Sequence, residues 1–173
     1  MRHTIVPEPC ESEEPLIEYA DEHDRPLLIA PPSEAFPLRR KAVGAVLCDR
    51  RGRAFVRRRA SERGVETWDI SAETYVRSGE AREEAVGRAV REALGLPNVT
   101  FGEAVPAAFK PAGGNVALTL FLAELPGLLP PDSLREGHFL DREELVGMAE
   151  TFPDLFSPVL RWAIGTGCLW KRR

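Results

Sequence analysis

Residues that build disulfide or metal frameworks are scarce in this chain. Its 173 residues include three histidines and three cysteines, which are Cys10, Cys48 and Cys168. Three widely separated cysteines do not form a disulfide framework, and they lack the spacing of a zinc site. We therefore expect a reduced, cytoplasmic protein that folds without disulfides or a structural metal.

Long apolar segments are also missing. No apolar run approaches the roughly 20 residues that span a bilayer, so no membrane partner is expected. The first fifteen residues lack the apolar stretch of a secretory signal. Hydrophobic residues make up 43% of the chain and charged residues 29%, a balance typical of one globular domain.

Positive charge is in short supply overall but concentrated in one segment. The chain has 23 basic and 27 acidic side chains, a net charge of −4 that disfavours a nucleic-acid partner. Residues 1–38 carry two basic and nine acidic side chains, whereas residues 39–64 carry ten basic and two acidic side chains. The basic segment is either a set of solvated strand edges or a surface that attracts phosphates. Charge alone favours the interpretation of this segment as solvated strand edges.

Apolar runs and turn residues divide the chain into strands around one long helix. After a loose arm at 1–15, the pattern predicts hairpins at 15–30 and 42–59, the second turning at Gly52. A helix is predicted at 80–94, where alanines recur every four residues and Gly95 provides the stop. Further elements are predicted as strands at 99–110, 116–125 and 137–140, a short helix after Asp141 and a last helix at 159–169. This order predicts an α/β fold with a mixed sheet between helices.

Residues 68–96 resemble the box of the Nudix superfamily, G-x5-E-x7-R-E-U-x-E-E-x-G-U, where U is a bulky aliphatic residue. The matching positions are Glu80, Arg88, Val90, Glu92, Gly95 and Leu96. The flanks at 40–59, 139–145 and 156–158 resemble the same family in the same order. The acidic hairpin at 16–30 is most similar to the isopentenyl-diphosphate-isomerase-like branch.

The resemblance implies a Nudix α/β/α sandwich with a mixed sheet and an extra N-terminal hairpin. The acidic arm and hairpin of residues 1–38 then join the Nudix domain of residues 39–173 in one structural unit. The implied activity is hydrolysis of a nucleoside diphosphate linked to another group, with Mg²⁺ or Mn²⁺ as cofactor. The implied partner is a small-molecule diphosphate or nucleotide, and the edge of the hairpin allows a homodimer.

The resemblance also assigns roles to individual residues. Glu92 is the implied metal ligand and a catalytic residue, and Glu80 assists catalysis. Structural roles within the box fall to Arg88, Gly79 and Gly95. For substrate binding, Arg59 stands where the family often has an arginine that contacts phosphate, and Arg57 shares its face of the strand.

The box departs from the family pattern at positions that matter for metal binding. Thr74 replaces the opening glycine, and Ala89 and Ala93 replace two of three helix carboxylates. The remaining carboxylate, Glu92, can hold one ion weakly with help from substrate phosphates, but it cannot build a two-metal clamp. We therefore expect a hydrolase with weakened metal-dependent activity. The alternative is a catalytically impaired Nudix fold that acts as a nucleotide-binding or regulatory module.

Several roles stay open at the level of sequence. Glu92 is either a metal ligand or the ion-pair partner of Arg88 one helical turn away. The alanines of the helix are either a vacated metal face or ordinary packing against the sheet, and packing is the more common arrangement. An isomerase of the isopentenyl-diphosphate type is disfavoured, because the cysteine and histidine set for that chemistry is not found.

Overall fold

The computed structural model describes residues 14–60, 64–107, 115–125 and 137–170. Most of the predicted arm and the end of the predicted strand at 99–110 lie outside these residues. The strands are β1 Ile17–Ala20, β2 Pro26–Ala30, β3 Arg39–Cys48, β4 Ala54–Ala60, β5 Glu66–Asp69, β6 Ala72–Tyr75, β7 Ala104–Pro106, β8 Val116–Glu124 and β9 Gly137–Leu140. The α-helices are α1 Arg82–Leu94, α2 Arg142–Thr151 and α3 Pro158–Thr166.

Strand β3 is the centre of a mixed sheet. It pairs in parallel with β8 from Arg40 to Cys48. Along its other edge it pairs antiparallel with β1, then β6, then β4. Strands β5 and β9 pair with β4, and the hairpin of β1 and β2 extends the sheet beyond β1.

The two faces of β3 bury different helices, because side chains alternate along a strand. Val43, Ala45 and Leu47 pack with the apolar side of α1. Ala42 and Val46 pack on the opposite face with residues of α2 and α3. The predicted α/β sandwich with a mixed sheet and an added hairpin is therefore confirmed.

Ser71 fixes the point at which β4 leaves β3. Its side chain is fully buried between the two strands. The hydroxyl donates to the carbonyl oxygen of Phe55 at 2.6 Å and accepts from the backbone nitrogen of Leu47 at 2.9 Å. It thus replaces a backbone contact where the strands diverge, and it holds β6 in register just before the box.

Three element boundaries differ from the sequence prediction. Helix α1 begins at Arg82, because the side chain of Glu80 is used by the preceding loop instead. In the described part of the strand predicted at 99–110, which ends at residue 107, only Ala104–Pro106 forms a strand. The last helix ends at Thr166, where Gly167 adopts a left-handed φ of 68°, and a 3-10 turn follows. Among the described helices, none is long and apolar enough to span a membrane.

Candidate active site

Arg88 anchors the loop that leads from β6 into α1. It is 8% exposed. Its Nε and Nη2 donate to the two carboxylate oxygens of Glu80 at 2.8 and 2.9 Å. Nη2 also donates to the carbonyl of Tyr75 at 2.9 Å, and Nη1 donates to the hydroxyl of Thr74 at 3.1 Å. The guanidinium of Arg88 therefore connects α1 with the loop and with β6.

Glu80 is fully engaged by this arrangement. Besides the two bonds from Arg88, it accepts a hydrogen bond from the backbone nitrogen of Arg77 at 2.9 Å. The hydrogen bonds from Arg88 lower the pKa of Glu80 below its ordinary value of 4.5. Gly79 permits the tight turn before it with a φ of 75°. Glu80 is thus held as an anion whose oxygens already have strong donors.

Glu92 lies on the exposed side of α1, and 56% of its side chain is accessible. Its carboxylate is 3.6 Å from Nη1 of Arg88 and 3.9 Å from Nη2 of Arg77. Glu80 and Glu92 therefore flank the same guanidinium, although they lie twelve residues apart along the chain. Glu92 is therefore within ion-pair distance of Arg88, and its role as a metal ligand stays a prediction.

The two alanines of the box differ in their surroundings. Ala89 is 2% exposed and belongs to the core between α1 and the sheet. Ala93 is only partly buried at the edge of that core. Part of the alanine stripe therefore serves as packing, and a longer side chain is easier to accommodate at Ala93 than at Ala89.

The carboxylates of the box do not fit a cluster of metal ions. In the parts of the chain that the structure describes, no three histidine, cysteine, aspartate or glutamate side chains are grouped to hold one ion. Divalent cations such as Mg²⁺ need several oxygen ligands, and the exposed Glu92 offers a single carboxylate. The residues present fit at most one ion that shares its coordination with a phosphate ligand.

A second group of charged residues surrounds Arg59 at the end of β4. Nη1 of Arg59 is 3.1 Å from Oδ2 of Asp69 and 3.8 Å from Oε2 of Glu73. The Arg59 side chain is 48% exposed, whereas that of Asp69 is 10% exposed. Partial burial and the neighbouring Asp69 raise the pKa of Glu73, while Arg59 opposes the shift. We call Arg59, Asp69 and Glu73 the Arg59 cluster.

Asp69 is held in place by the start of α3. Its Oδ1 accepts from the hydroxyl of Ser157 at 2.6 Å and from the backbone nitrogen of Ile70 at 2.8 Å. Ser157 is the N-cap of α3, since its hydroxyl also accepts from the backbone nitrogen of Leu160. Neither Asp69 nor Ser157 is among the site residues predicted from the sequence. The Ser-Pro pair that opens α3 indicated the cap, but no local pattern links two residues 88 positions apart.

Glu92 and Arg59 do not meet in one cluster. Thr74 faces α1 and contacts Arg88, whereas the adjacent Glu73 faces Arg59. Consecutive residues of a strand point to opposite faces, so β6 separates the two groups. Within the described residues β6 pairs only with β3.

Arg57 occupies a different position from Arg59. It is partly buried on the same face of β4 and lies opposite Asp69 in the pairing with β5. Arg58 points to the other face, where its guanidinium lies 4.9 Å from the ring centre of Trp68. Arg58 is exposed as well and lies 3.4 Å from the carboxylate of Glu66. Arg59 differs in that it contacts the nearly buried carboxylate of Asp69.

A cleft of about 800 Å³ lies away from both groups, at the end of β3. Its lining includes Gly52, Glu124, Asp141, Arg142 and Trp170. None of the site residues predicted from the sequence lines it. Acidic and basic side chains are mixed along its walls, so the cleft favours no charge class of ligand.

A comparison with protein families decides the classification. Residues 38–163 match the model of the NUDIX domain. The chain belongs to the Nudix family. The match spans the box, the Arg59 cluster and most of α3. The family generally uses divalent metal ions, and the sandwich seen here is the Nudix fold.

Solved structures show the same fold at low sequence identity. The protein DR0079 of Deinococcus radiodurans has a TM-score of 0.67 and 21% identity, over 87% of this chain and 98% of that one. A MutT protein of Methanosarcina mazei has a TM-score of 0.55 and 16% identity, over 78% and 96%. The Nudix hydrolase RenU of M. smegmatis has a TM-score of 0.55 and 20% identity, over 88% and 92%. Among curated proteins, no sequence matches this Nudix domain.

Proposed function

We propose that this Nudix protein hydrolyses a small molecule with a diphosphate linkage, such as a nucleoside diphosphate joined to another group, and that its metal-dependent activity is weakened. The observation that carries the proposal is the box itself. Its scaffold is assembled by Arg88 and Glu80, but Glu92 is the single carboxylate left at the three helix positions where the family pattern has one. A Nudix hydrolase fold with this donor set retains the place for phosphate chemistry and lacks a multi-ion clamp.

In this proposal the residues of the chain act by binding and orienting the substrate. Arg59 donates to a phosphate oxygen with a guanidinium that Asp69 holds at the surface. Glu92 would hold one Mg²⁺ or Mn²⁺ together with the substrate. Such an ion, when bound, neutralises phosphate charge and polarises the phosphoryl group. Glu80 assists by keeping Arg88 and the loop in place.

The alternative function is a nucleotide-binding or regulatory module without turnover. It is favoured by the contacts of the two box carboxylates. Glu92 lies beside two arginines, and Glu80 accepts three hydrogen bonds. Both carboxylates then serve the scaffold, and phosphate binding relies on arginines alone.

The placement of the chain within the family is also a proposal. The acidic hairpin of β1 and β2 supports the isopentenyl-diphosphate-isomerase-like branch, while the substitutions at Thr74, Ala89 and Ala93 support a degenerate box. The isomerase reaction itself is not proposed, because the sequence does not offer the cysteine and histidine set for that chemistry.

A panel of diphosphate-linked compounds tests the proposal, with phosphate release and binding heat measured together as Mg²⁺ or Mn²⁺ is titrated. We expect slow, metal-dependent turnover that is lost in Glu92→Gln. The matched control is Glu83→Gln, which removes an exposed carboxylate from the same helix. Heat without turnover favours the binding module. Turnover that survives Glu92→Gln contradicts the proposed role of Glu92.

A further inference from the structure

The Arg59 cluster contains one arginine and two carboxylates with different degrees of constraint. Asp69 accepts three hydrogen bonds, from Arg59, Ser157 and the backbone nitrogen of Ile70. Glu73 is 3.8 Å from Arg59, a distance at which an ion pair forms without a direct hydrogen bond. Its side chain is also more exposed, at 32% against 10% for Asp69. Asp69 is thus a fixed partner of Arg59, and Glu73 is an adjustable one.

We propose that Asp69, locked by Ser157, is the positioning residue for Arg59, and that Glu73 sets the affinity of the same site by competing with ligand phosphate for that guanidinium. The inference rests on the proposed function, in which Arg59 contacts phosphate. It adds the residues that control this contact.

Positioning matters because arginine is a long and flexible side chain. Ordering it upon binding costs conformational entropy, so a guanidinium that is already oriented binds an anion more tightly. Asp69 uses Oδ2 for Arg59 and Oδ1 for Ser157, so the start of α3 is connected through one carboxylate to the arginine. Loss of the hydroxyl of Ser157 releases Asp69 on one side without any change of charge.

Glu73 acts in the opposite direction. Its carboxylate lies 3.8 Å from Nη1 of Arg59, so a phosphate oxygen competes with it for the same guanidinium, and its negative charge repels the ligand. Because nearly half of the Arg59 side chain is exposed, ligand and Glu73 can exchange there without unfolding of the strand. Glu73 therefore disfavours weakly bound anions.

Binding of inorganic pyrophosphate to the full chain, measured by titration calorimetry in EDTA at low ionic strength, separates positioning from charge. Asp69→Asn and Glu73→Gln each remove one negative charge beside Arg59. If charge alone matters, both variants bind pyrophosphate more tightly. If Asp69 positions Arg59, the two variants change the affinity for pyrophosphate in opposite directions. We expect affinity about 10-fold lower in Asp69→Asn and about 3- to 10-fold higher in Glu73→Gln. The control Glu66→Gln removes an exposed charge from the same sheet and is expected to change affinity less than 2-fold.

Ser157→Ala provides a test that does not alter charge. We expect about 3-fold weaker binding of pyrophosphate, restored in Ser157→Thr, which keeps the hydroxyl. A purely structural defect lowers the fraction of active protein in the titration and leaves the dissociation constant unchanged. Folding of every variant is checked by its thermal transition, so Ser157→Ala decides the question if Asp69→Asn does not fold.

The outcomes for the two proposals differ. If Arg59→Ala abolishes pyrophosphate binding but neither Asp69→Asn nor Ser157→Ala weakens it, the inference about positioning is overturned and the role of Arg59 stands. If Arg59→Ala binds as wild type does, or wild type does not bind, the role of Arg59 fails together with this inference. Hydrolysis in the substrate panel is read separately from either result.

Discussion

The guanidinium of Arg88 donates two hydrogen bonds, of 2.8 and 2.9 Å, to the carboxylate of Glu80, which lies eight residues earlier in the chain. The pair closes the loop between β6 and α1, and the carbonyl of Tyr75 completes it. Because Arg88 is 8% exposed and the Glu80 side chain 15%, the pair is largely shielded from water. The box of this Nudix domain therefore retains the contacts that hold its loop and helix together, independently of how many metal ions it can bind.

Removal of Arg88 is expected to destabilise the fold. Arg88→Ala leaves the carboxylate of Glu80 and the carbonyl of Tyr75 without their strongest donor. A buried polar group that loses its partner costs about 1–3 kcal/mol. Thermal unfolding measures the change, with Arg91→Ala, an exposed arginine of the same helix, as the control. Equal melting temperatures for wild type and Arg88→Ala contradict the structural role.

Acid is expected to weaken the same pair. The pKa of Glu80 is lowered from 4.5 in the folded state, so its stabilising effect is present above the pKa of the unfolded chain. The effect is lost as the pH falls through the lowered folded pKa. The difference in melting temperature between wild type and Glu80→Gln should therefore be large at pH 7 and shrink below about pH 4. A difference that stays constant down to pH 3 argues against an ionised Glu80.

Gly87 in the middle of α1 is expected to be replaceable with a gain in stability. An added Cβ at this position meets nothing within 4 Å, so no close contact requires glycine. Gly87→Ala should raise the free energy of unfolding by about 0.5–1 kcal/mol, because alanine has the higher helix propensity. The control is Gly95→Ala, which places a side chain at a φ of 65° and should destabilise the protein. A loss of stability in Gly87→Ala indicates a contact that the structure does not contain.

Restoring a carboxylate at Ala93 is expected to improve metal binding. Ala93 is only partly buried, whereas Ala89→Glu would force a charge into a position that is 2% exposed. Ala93→Glu should therefore gain more melting temperature from millimolar Mn²⁺ than wild type does. Ala93→Gln has the same shape without the charge and serves as the control. Equal shifts for wild type and Ala93→Glu contradict a vacated metal position.

Much of the box and its flanks was predictable because its signals are local. Gly95 ends α1 in the left-handed conformation, and Asp141 caps α2 by accepting from the backbone nitrogen of Glu144. The continuous apolar run of residues 42–48 predicted the first strand of the hairpin at 42–59, and these residues lie in β3. In each case neighbouring residues carry the pattern, so the sequence alone contains it.

The rest of the site depends on contacts between distant segments. Asp69 and Ser157 meet because Trp68 of β5 forms a β-bridge with Phe156, and no spacing in the sequence indicates this. The separation of Arg59 from Glu92 by β6 follows from the direction in which Glu73 and Thr74 point, which requires the register of β6 on β3. Residue types thus identified the candidate groups, and the sheet determined which of them share a face.

The central claim is that this box keeps its scaffold and has lost its multi-ion clamp. The most direct measurement is the number of Mn²⁺ ions bound per chain, counted by electron paramagnetic resonance with and without methylenediphosphonate. The account predicts no tight ion without the diphosphonate and at most one with it, lost in Glu92→Gln. Two or more tightly bound ions per wild-type chain, with or without the diphosphonate, would contradict it.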